Sequence, residues 1–171
     1  MRTRTEAPVL LTERLRLRPY KFDDFDAFSA YFKSPRSVYT DGPVSEESAW
    51  DQFSAGAGRW LLVGYGAWSV ERREDAAVVG LVSLNAPISL PEIELGWILW
   101  HGFEGHGYAF EAAVCARQFA FDELESAGLL SCIHKDNVRS IRLAERLGCV
   151  RDTAIVPPDP ENDLIFRHAA N

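Results

Sequence analysis

Gly102-Phe-Glu-Gly-His-Gly-Tyr-Ala-Phe-Glu-Ala112 is a glycine-punctuated loop between a strand-like run and a long helical pattern. Upstream, Pro91-Glu-Ile-Glu-Leu-Gly-Trp-Ile-Leu-Trp100 is rich in the branched and aromatic residues that suit a pleated sheet. Downstream, Ala109 to Ala127 has helix-forming composition and no proline. Glycines allow positive φ and let a ligand approach the backbone closely. The first-turn N–H groups of the next helix have no internal partners, so they can receive a pyrophosphate with help from the helix dipole.

Two common phosphate loops fit poorly. A P-loop ends in Gly-Lys-Ser/Thr, whereas His106-Gly107-Tyr108 offers neither the lysine nor the magnesium-binding hydroxyl. A dinucleotide fingerprint wants an acidic ribose ligand roughly 20 positions on. Here the next strand, Leu129 to Ile133, runs into His134-Lys135.

Other elements follow from local pattern. Alternation in Arg14-Leu-Arg-Leu-Arg18 predicts a half-buried strand ended by Pro19. Asp23 or Asp24 is expected to cap a helix in which Phe25, Phe28, Tyr31 and Phe32 recur at helical spacing, running through to Pro35. Ser34 to Pro43 reads as a loop, and Ser45 with acidic neighbours opens a second helix through Phe53. Gly66 to Glu71 and Val78 to Leu84 form a hairpin about the charged turn Arg72 to Asp75. Strand Glu92 to Trp100, helix Tyr108 to Glu125 and strand Leu129 to His134 make a β-α-β unit. Asn137 and Gly148 bound a further helix as N-cap and C′ residues. Short strands Cys149 to Ala154 and Leu164 to His168 close the chain.

The length of 171 residues suits one domain, 1–171 with a core of about 9–168, and 47% hydrophobic residues can fill its interior. No apolar run reaches the roughly 18 residues of a spanning helix, and the arginine-punctuated start lacks a signal-peptide core, so a soluble cytoplasmic protein without membrane attachment is expected. Cys115, Cys132 and Cys149 are odd in number and too dispersed for a CxxC pair; they read as reduced, buried thiols, and no metal site is indicated. A net charge of −7 argues against nucleic acid and suits a cationic or amine-bearing partner. Arg139, Arg142 and Arg146 share one helix face, which a solvated surface and a phosphate-binding surface would both satisfy.

Four segments in order resemble the GCN5-related N-acetyltransferase (GNAT) superfamily, particularly its ribosomal-protein N-terminal acetyltransferase-like branch. Leu11-Thr-Glu-Arg-Leu-Arg-Leu-Arg-Pro19 is similar to that branch's opening strand, and Glu94-Leu-Gly-Trp-Ile-Leu-Trp100 to the strand that pairs with the pantetheine arm. Gly105-His-Gly-Tyr-Ala-Phe-Glu-Ala112 is similar to the acetyl-CoA pyrophosphate loop. Asn137-Val-Arg-Ser-Ile-Arg-Leu-Ala-Glu-Arg-Leu-Gly148 resembles the following helix, with its Asn-x-x-Ser start and Leu-Gly end.

The resemblance implies an α/β GNAT fold, a mixed central sheet of six to seven strands flanked by about four helices. It implies acetyl-CoA as co-substrate, held by Trp97, Ile98, Leu99, Gly105, His106, Gly107, Tyr108, Ala109, Asn137 and Arg142. The acceptor would be a primary amine, on a peptide N-terminus or a small metabolite, near Phe32, Tyr39, Trp50 and Phe53. Thioester aminolysis needs a neutral amine, an oxyanion donor and a proton for the thiolate. Glu94 is the candidate base, with Glu92 the alternative if the strand bends; amides around Trp97 to Leu99 are the oxyanion donors, and Ser140 is the candidate proton donor. Many relatives carry a tyrosine where this chain has Ala144, and a polar side chain where it has Gly102. Those departures keep a second expectation open, a non-catalytic CoA-binding sensor or interaction module. The oligomeric state, a homodimer included, is left open.

Overall fold

The computed structural model describes residues 6–170; the arginine-punctuated start and Asn171 lie outside the described residues. Its strands are β1 (Leu10–Leu11), β2 (Leu15–Arg18), β3 (Ala67–Arg72), β4 (Val78–Asn85), β5 (Ile93–Leu99), β6 (Leu129–His134), β7 (Val150–Asp152) and β8 (Asp163–Arg167). The helices are α1 (Phe25–Phe32), α2 (Glu46–Val63), α3 (Tyr108–Asp122) and α4 (Val138–Arg146). One sheet contains all the strands, in the order β1-β2-β3-β4-β5-β6-β8-β7. Each neighbouring pair is antiparallel except β5 and β6, which the α3 crossover makes parallel.

Eight strands replace the expected six to seven. The opening segment does not run as one strand: Thr12 N–H donates to Leu15 O, and Leu15 N–H returns a bond to Thr12 Oγ1. This turn folds Leu10–Leu11 back onto β2, and a strand of two residues is too short to show a period. The first helix also differs. Phe22–Asp24 is a 3₁₀ turn, α1 stops at Phe32, and neither acid caps it by a side-chain bond.

Asp24 instead turns inward. Its carboxylate accepts two bonds from Arg18, at 2.7 and 2.9 Å, and others from Lys21 N–H and Ser69 Oγ. Arg18 Nε also donates to Glu71 at 2.7 Å, so one buried guanidinium holds two carboxylates. These bonds tie α1's entry to β2 and β3.

Apolar residues divide between the two faces of the sheet. Leu15, Leu17, Trp68, Val70 and Val82 pack with Ala112, Ala113, Ala116 and Ala120 of α3, where small side chains let the helix lie close. Phe28, Phe32, Phe53, Leu81 and Trp100 form a second cluster under α1 and α2. Ser45 caps α2 by accepting from Ser48 N–H, as its sequence position suggested, and the helix continues past Phe53 to Gly64 at φ 78°.

The feature that positions the site is a parting of strands. β5 pairs with β4 from Asn85↔Glu94 to Gly80↔Leu99, but with β6 only at Ile93↔Leu129 and Glu94↔Leu130. Past Glu94, Ser131 Oγ donates to Leu95 O at 2.6 Å, a side-chain bond where a ladder bond would otherwise lie. A gap therefore opens on that edge of β5.

Candidate active site

The glycine loop enters α3 through Gly105 and Gly107, at φ 84° and 82°, a region most side chains avoid. Nothing lies within 4 Å of where a Cβ on Gly105 would sit, so backbone conformation rather than packing demands glycine there. Gly107 occupies the N-cap position of α3 and offers no side-chain cap. Arg14 fixes the loop from behind: it donates to His106 O at 2.9 Å, pairs with Glu111 of α3 and stacks over the Tyr108 ring.

A cavity of about 960 Å³ runs from this loop between β5 and α4. Of the expected cofactor residues, Trp97, Ile98, Leu99, Gly105, Gly107, Ala109, Asn137 and Arg142 line it. His106 and Tyr108 do not. His106 stacks on Tyr108, and the buried Tyr108 hydroxyl accepts from Arg72 Nη1 at 3.4 Å, so these side chains shape the loop. Arg36, Arg139 and Arg146 add positive charge to the same wall. Arg146 lies over the Phe110 ring, and Arg36 pairs with Glu104 while reaching Leu99 O.

Strand alternation orients the β5 amides. Trp100 N–H donates to Val79 O on β4, so the N–H groups of Trp97 and Leu99 point the other way, into the gap. The bond from Arg36 to Leu99 O agrees with that orientation.

A second cavity, of about 770 Å³, lies beyond the gap. The two share Tyr39, Thr40, Trp97, Ile98, Asn137 and Ser140 as lining residues and so meet there. Asn137 Oδ1 accepts from Ser140 N–H at 3.2 Å, which caps α4 and holds Ser140 at the junction. Ala144 is enclosed against Ile133 and Phe166 and reaches neither cavity.

Glu94 lines the second cavity at the last β5–β6 register pair. Burial pushes its carboxyl above the usual range; bonds from Asn85 and Cys132 N–H oppose that shift, and the Asp41 charge adds to it. Glu92 faces elsewhere, accepting from Arg167 at 2.8 and 3.0 Å. Phe32 and Tyr39 line the second cavity, whereas Phe53 is core and Trp50 stacks edge-on against Phe25.

Several polar residues of this region gave no sequence signal. Arg59 and Asn85 meet across α2 and β4, 26 positions apart. His168, buried, bonds Ser131 Oγ at 2.9 Å and Cys149 Sγ at 3.2 Å. Because Ser131 gives its proton to Leu95 O, His168 donates from Nε2 and accepts the thiol proton at Nδ1. Burial lowers this histidine to about 4, so it stays neutral and joins β8 to β6. Burial also pushes the Cys132 and Cys149 thiols up to about 12 and 11. Thiols so protonated are poor nucleophiles near neutral pH. Among the described residues no group of His, Cys, Asp and Glu is arranged to hold a metal, and no helix is long and apolar enough to cross a membrane.

Comparison with known proteins accords with this geometry. An acetyltransferase from Agrobacterium tumefaciens str. C58 is 39% identical, with a TM-score of 0.91 over 96% of this chain and 95% of that one. The uncharacterized N-acetyltransferase YnaD of Bacillus subtilis (strain 168) is 22% identical over 145 residues, 84% of this chain and 83% of that protein. RimL, a ribosomal L7/L12 alpha-N-protein acetyltransferase solved with coenzyme A, shares the fold at a TM-score of 0.73 and 16% identity, covering 94% of this chain and 96% of its own. The family model of the acetyltransferase (GNAT) domain matches residues 14–150, and the chain belongs to that acetyltransferase family.

Proposed function

We propose that this single-domain chain is a cytoplasmic, acetyl-CoA-dependent N-acetyltransferase that moves an acetyl group directly to a primary amine. The observation that carries this reading is Glu94: a partly buried carboxylate at the point where β5 leaves β6 and the two cavities join. The first cavity suits the cofactor, because a positive-φ glycine turn, an α3 N-terminus and Arg142 with Arg146 offer donors and positive charge to phosphates.

Bound acetyl-CoA supplies a thioester whose C–S bond breaks as the amine forms its C–N bond. Glu94, directly or through one water, takes the proton that the amine gives up, and its raised carboxyl makes it a better match to that task. Trp97 and Leu99 N–H groups donate to the oxygen on which negative charge develops. Ser140 holds a proton at the junction for the departing sulfur. Cys132, the cysteine that lines the second cavity, is held protonated and does not compete as an acetyl carrier.

The acceptor side carries Asp41, Asp51, Glu94 and Asp163, which suits an ammonium-bearing molecule better than nucleic acid. Free α-amines, with a reference pKa of about 7.7–8.0 against about 10.4 for lysine, ask less of the base, so peptide N-termini or small amines are the favoured acceptors. Thiol release from acetyl-CoA, screened over amino acids, polyamines, aminoglycosides and peptides with either a free N-terminus or a blocked one and a lysine, tests this. Turnover with α-amines ahead of lysine is expected. CoA binding without thiol release from any amine would leave a CoA-binding module, the reading that Ala144 and Gly102 favour.

A further inference from the structure

The second cavity is acidic except at one place. Arg59 is the one lysine or arginine among its lining residues, facing Asp41, Asp51, Glu94 and Asp163. It projects from the face of α2 that also presents Gln52 and Gly56, at i, i+4 and i+7 spacing. The residue is half-buried, yet among the described residues no carboxylate lies within ion-pair distance of its guanidinium. Its side-chain hydrogen bond is to a neutral group, Nη1 to Asn85 Oδ1 at 3.1 Å. A guanidinium carries five N–H donors in a planar fork, so most of that fork remains available to a ligand.

Asn85 links this cation to the chemistry. Its amide donates to Ser83 Oγ at 3.1 Å, and its cross-strand register partner on β5 is Glu94. One amide group therefore separates the free fork from the candidate base. A molecule whose amine faces Glu94 would place its next few atoms beside Arg59.

We propose that Arg59 binds a carboxylate carried a few bonds from the acceptor amine, so that the enzyme acetylates amino-acid-like zwitterions. This rests on the N-acetyltransferase reading above. Planar bidentate pairing explains why an arginine stands in a cavity otherwise built to attract cations. Two sources carry this chemistry: a free amino acid, and a peptide whose first residue is aspartate.

The test compares kcat/KM for matched acceptors: amino acids against their carboxamides, and Asp-first against Asn-first peptides. The acid of a pair should lead by about tenfold to hundredfold, the range of a charge-assisted bidentate contact. Arg59→Gln should collapse that ratio toward one, chiefly through KM of the acid, and Arg59→Lys should restore part of it. Preference among free amino acids assigns the site to small molecules; preference confined to peptides assigns it to an acidic first residue. A ratio near one in the wild-type protein, or a ratio indifferent to Arg59→Gln, overturns the proposal while leaving acetyl transfer standing. Should no amine be acetylated, the transfer reading fails, and calorimetry of N-acetylglycine with the CoA-loaded protein decides the subsite. Binding that weakens at least tenfold in Arg59→Gln upholds it, and no binding to the wild-type protein overturns it.

Discussion

Asp24 and Glu71, gathered around Arg18, and Glu94, at the parting of β5 from β6, are carboxylates withdrawn from water in one sheet, yet their surroundings push them in opposite directions. Burial alone would raise all of them. For Asp24, bonds from Arg18, Lys21 N–H and Ser69 outweigh that penalty and hold the carboxyl below its usual range. For Glu71, the bond and charge of Arg18, with Arg16 beside it, do the same. For Glu94 burial prevails: the Asn85 amide, the Cys132 N–H and the more distant Arg59 charge oppose it, and Asp41 adds to it. Among the described residues no cation is within ion-pair distance, so its carboxyl ends above the usual range. Pairing with a fixed cation makes a carboxylate inert and structural, whereas burial with neutral donors leaves one able to exchange a proton.

The comparison is broken most directly at Glu94. Glu94→Gln should lower kcat by about 10²- to 10⁴-fold, the usual worth of a positioned base, with CoA affinity unchanged by calorimetry. Partial recovery is expected at higher pH, where more of the amine is neutral already. Stability should move the other way. A carboxyl whose folded pKa is raised favours folding below its unfolded value and loses that contribution as pH rises through the folded one. Removing the charge should therefore raise the melting temperature at neutral pH. A variant with wild-type turnover would remove Glu94 from the reaction.

At the other site the same logic gives a stability effect. Arg18→Ala strands the buried Asp24 carboxylate and leaves Glu71 to Arg16 alone, and should cost about 3–5 kcal/mol in denaturant unfolding at neutral pH. The sign with pH follows from the lowered carboxyls: their contribution is present above the unfolded values of about 3.9 and 4.3 and is lost as pH falls through the folded ones. The gap between variant and wild-type stability should thus narrow below about pH 4. A gap constant with pH would mean that Arg18 acts by packing.

The two sites also differ in how far sequence exposed them. The glycine loop, the Asn137 start of α4 and Ser45 of α2 are local backbone chemistry, written within a few residues, and the structure places them as read. Glu94 could be named because it sits beside such a landmark on a strand of clear composition. Arg18 meets Glu71 across 53 positions and Arg59 meets Asn85 across 26, and neither separation has a period. Asp24 has the residue type and place of a helix cap, but its carboxylate turns to Arg18, Ser69 and the preceding Lys21 N–H rather than to the N–H groups of α1. Aromatic spacing likewise found α1 without telling Phe28 and Phe32, which reach from the core to the wall of the second cavity, from Phe25, which packs against Trp50 instead.

Asn137 gives the smallest effect and the finest division between scaffold and chemistry. Its Oδ1 accepts the Ser140 N–H, and both residues line the junction of the cavities. As a cap alone it is worth about 1 kcal/mol, so Asn137→Ala should lower the melting temperature by roughly 2–4 °C for a chain of this size. If the cap also aims the Ser140 hydroxyl at the departing sulfur, kcat should fall as well while KM for acetyl-CoA holds. Asn137→Asp, which can still accept that N–H, should restore both quantities together. A loss of stability with unchanged kcat would make Asn137 a helix cap and nothing more, and proton return to sulfur would then fall to water rather than to Ser140.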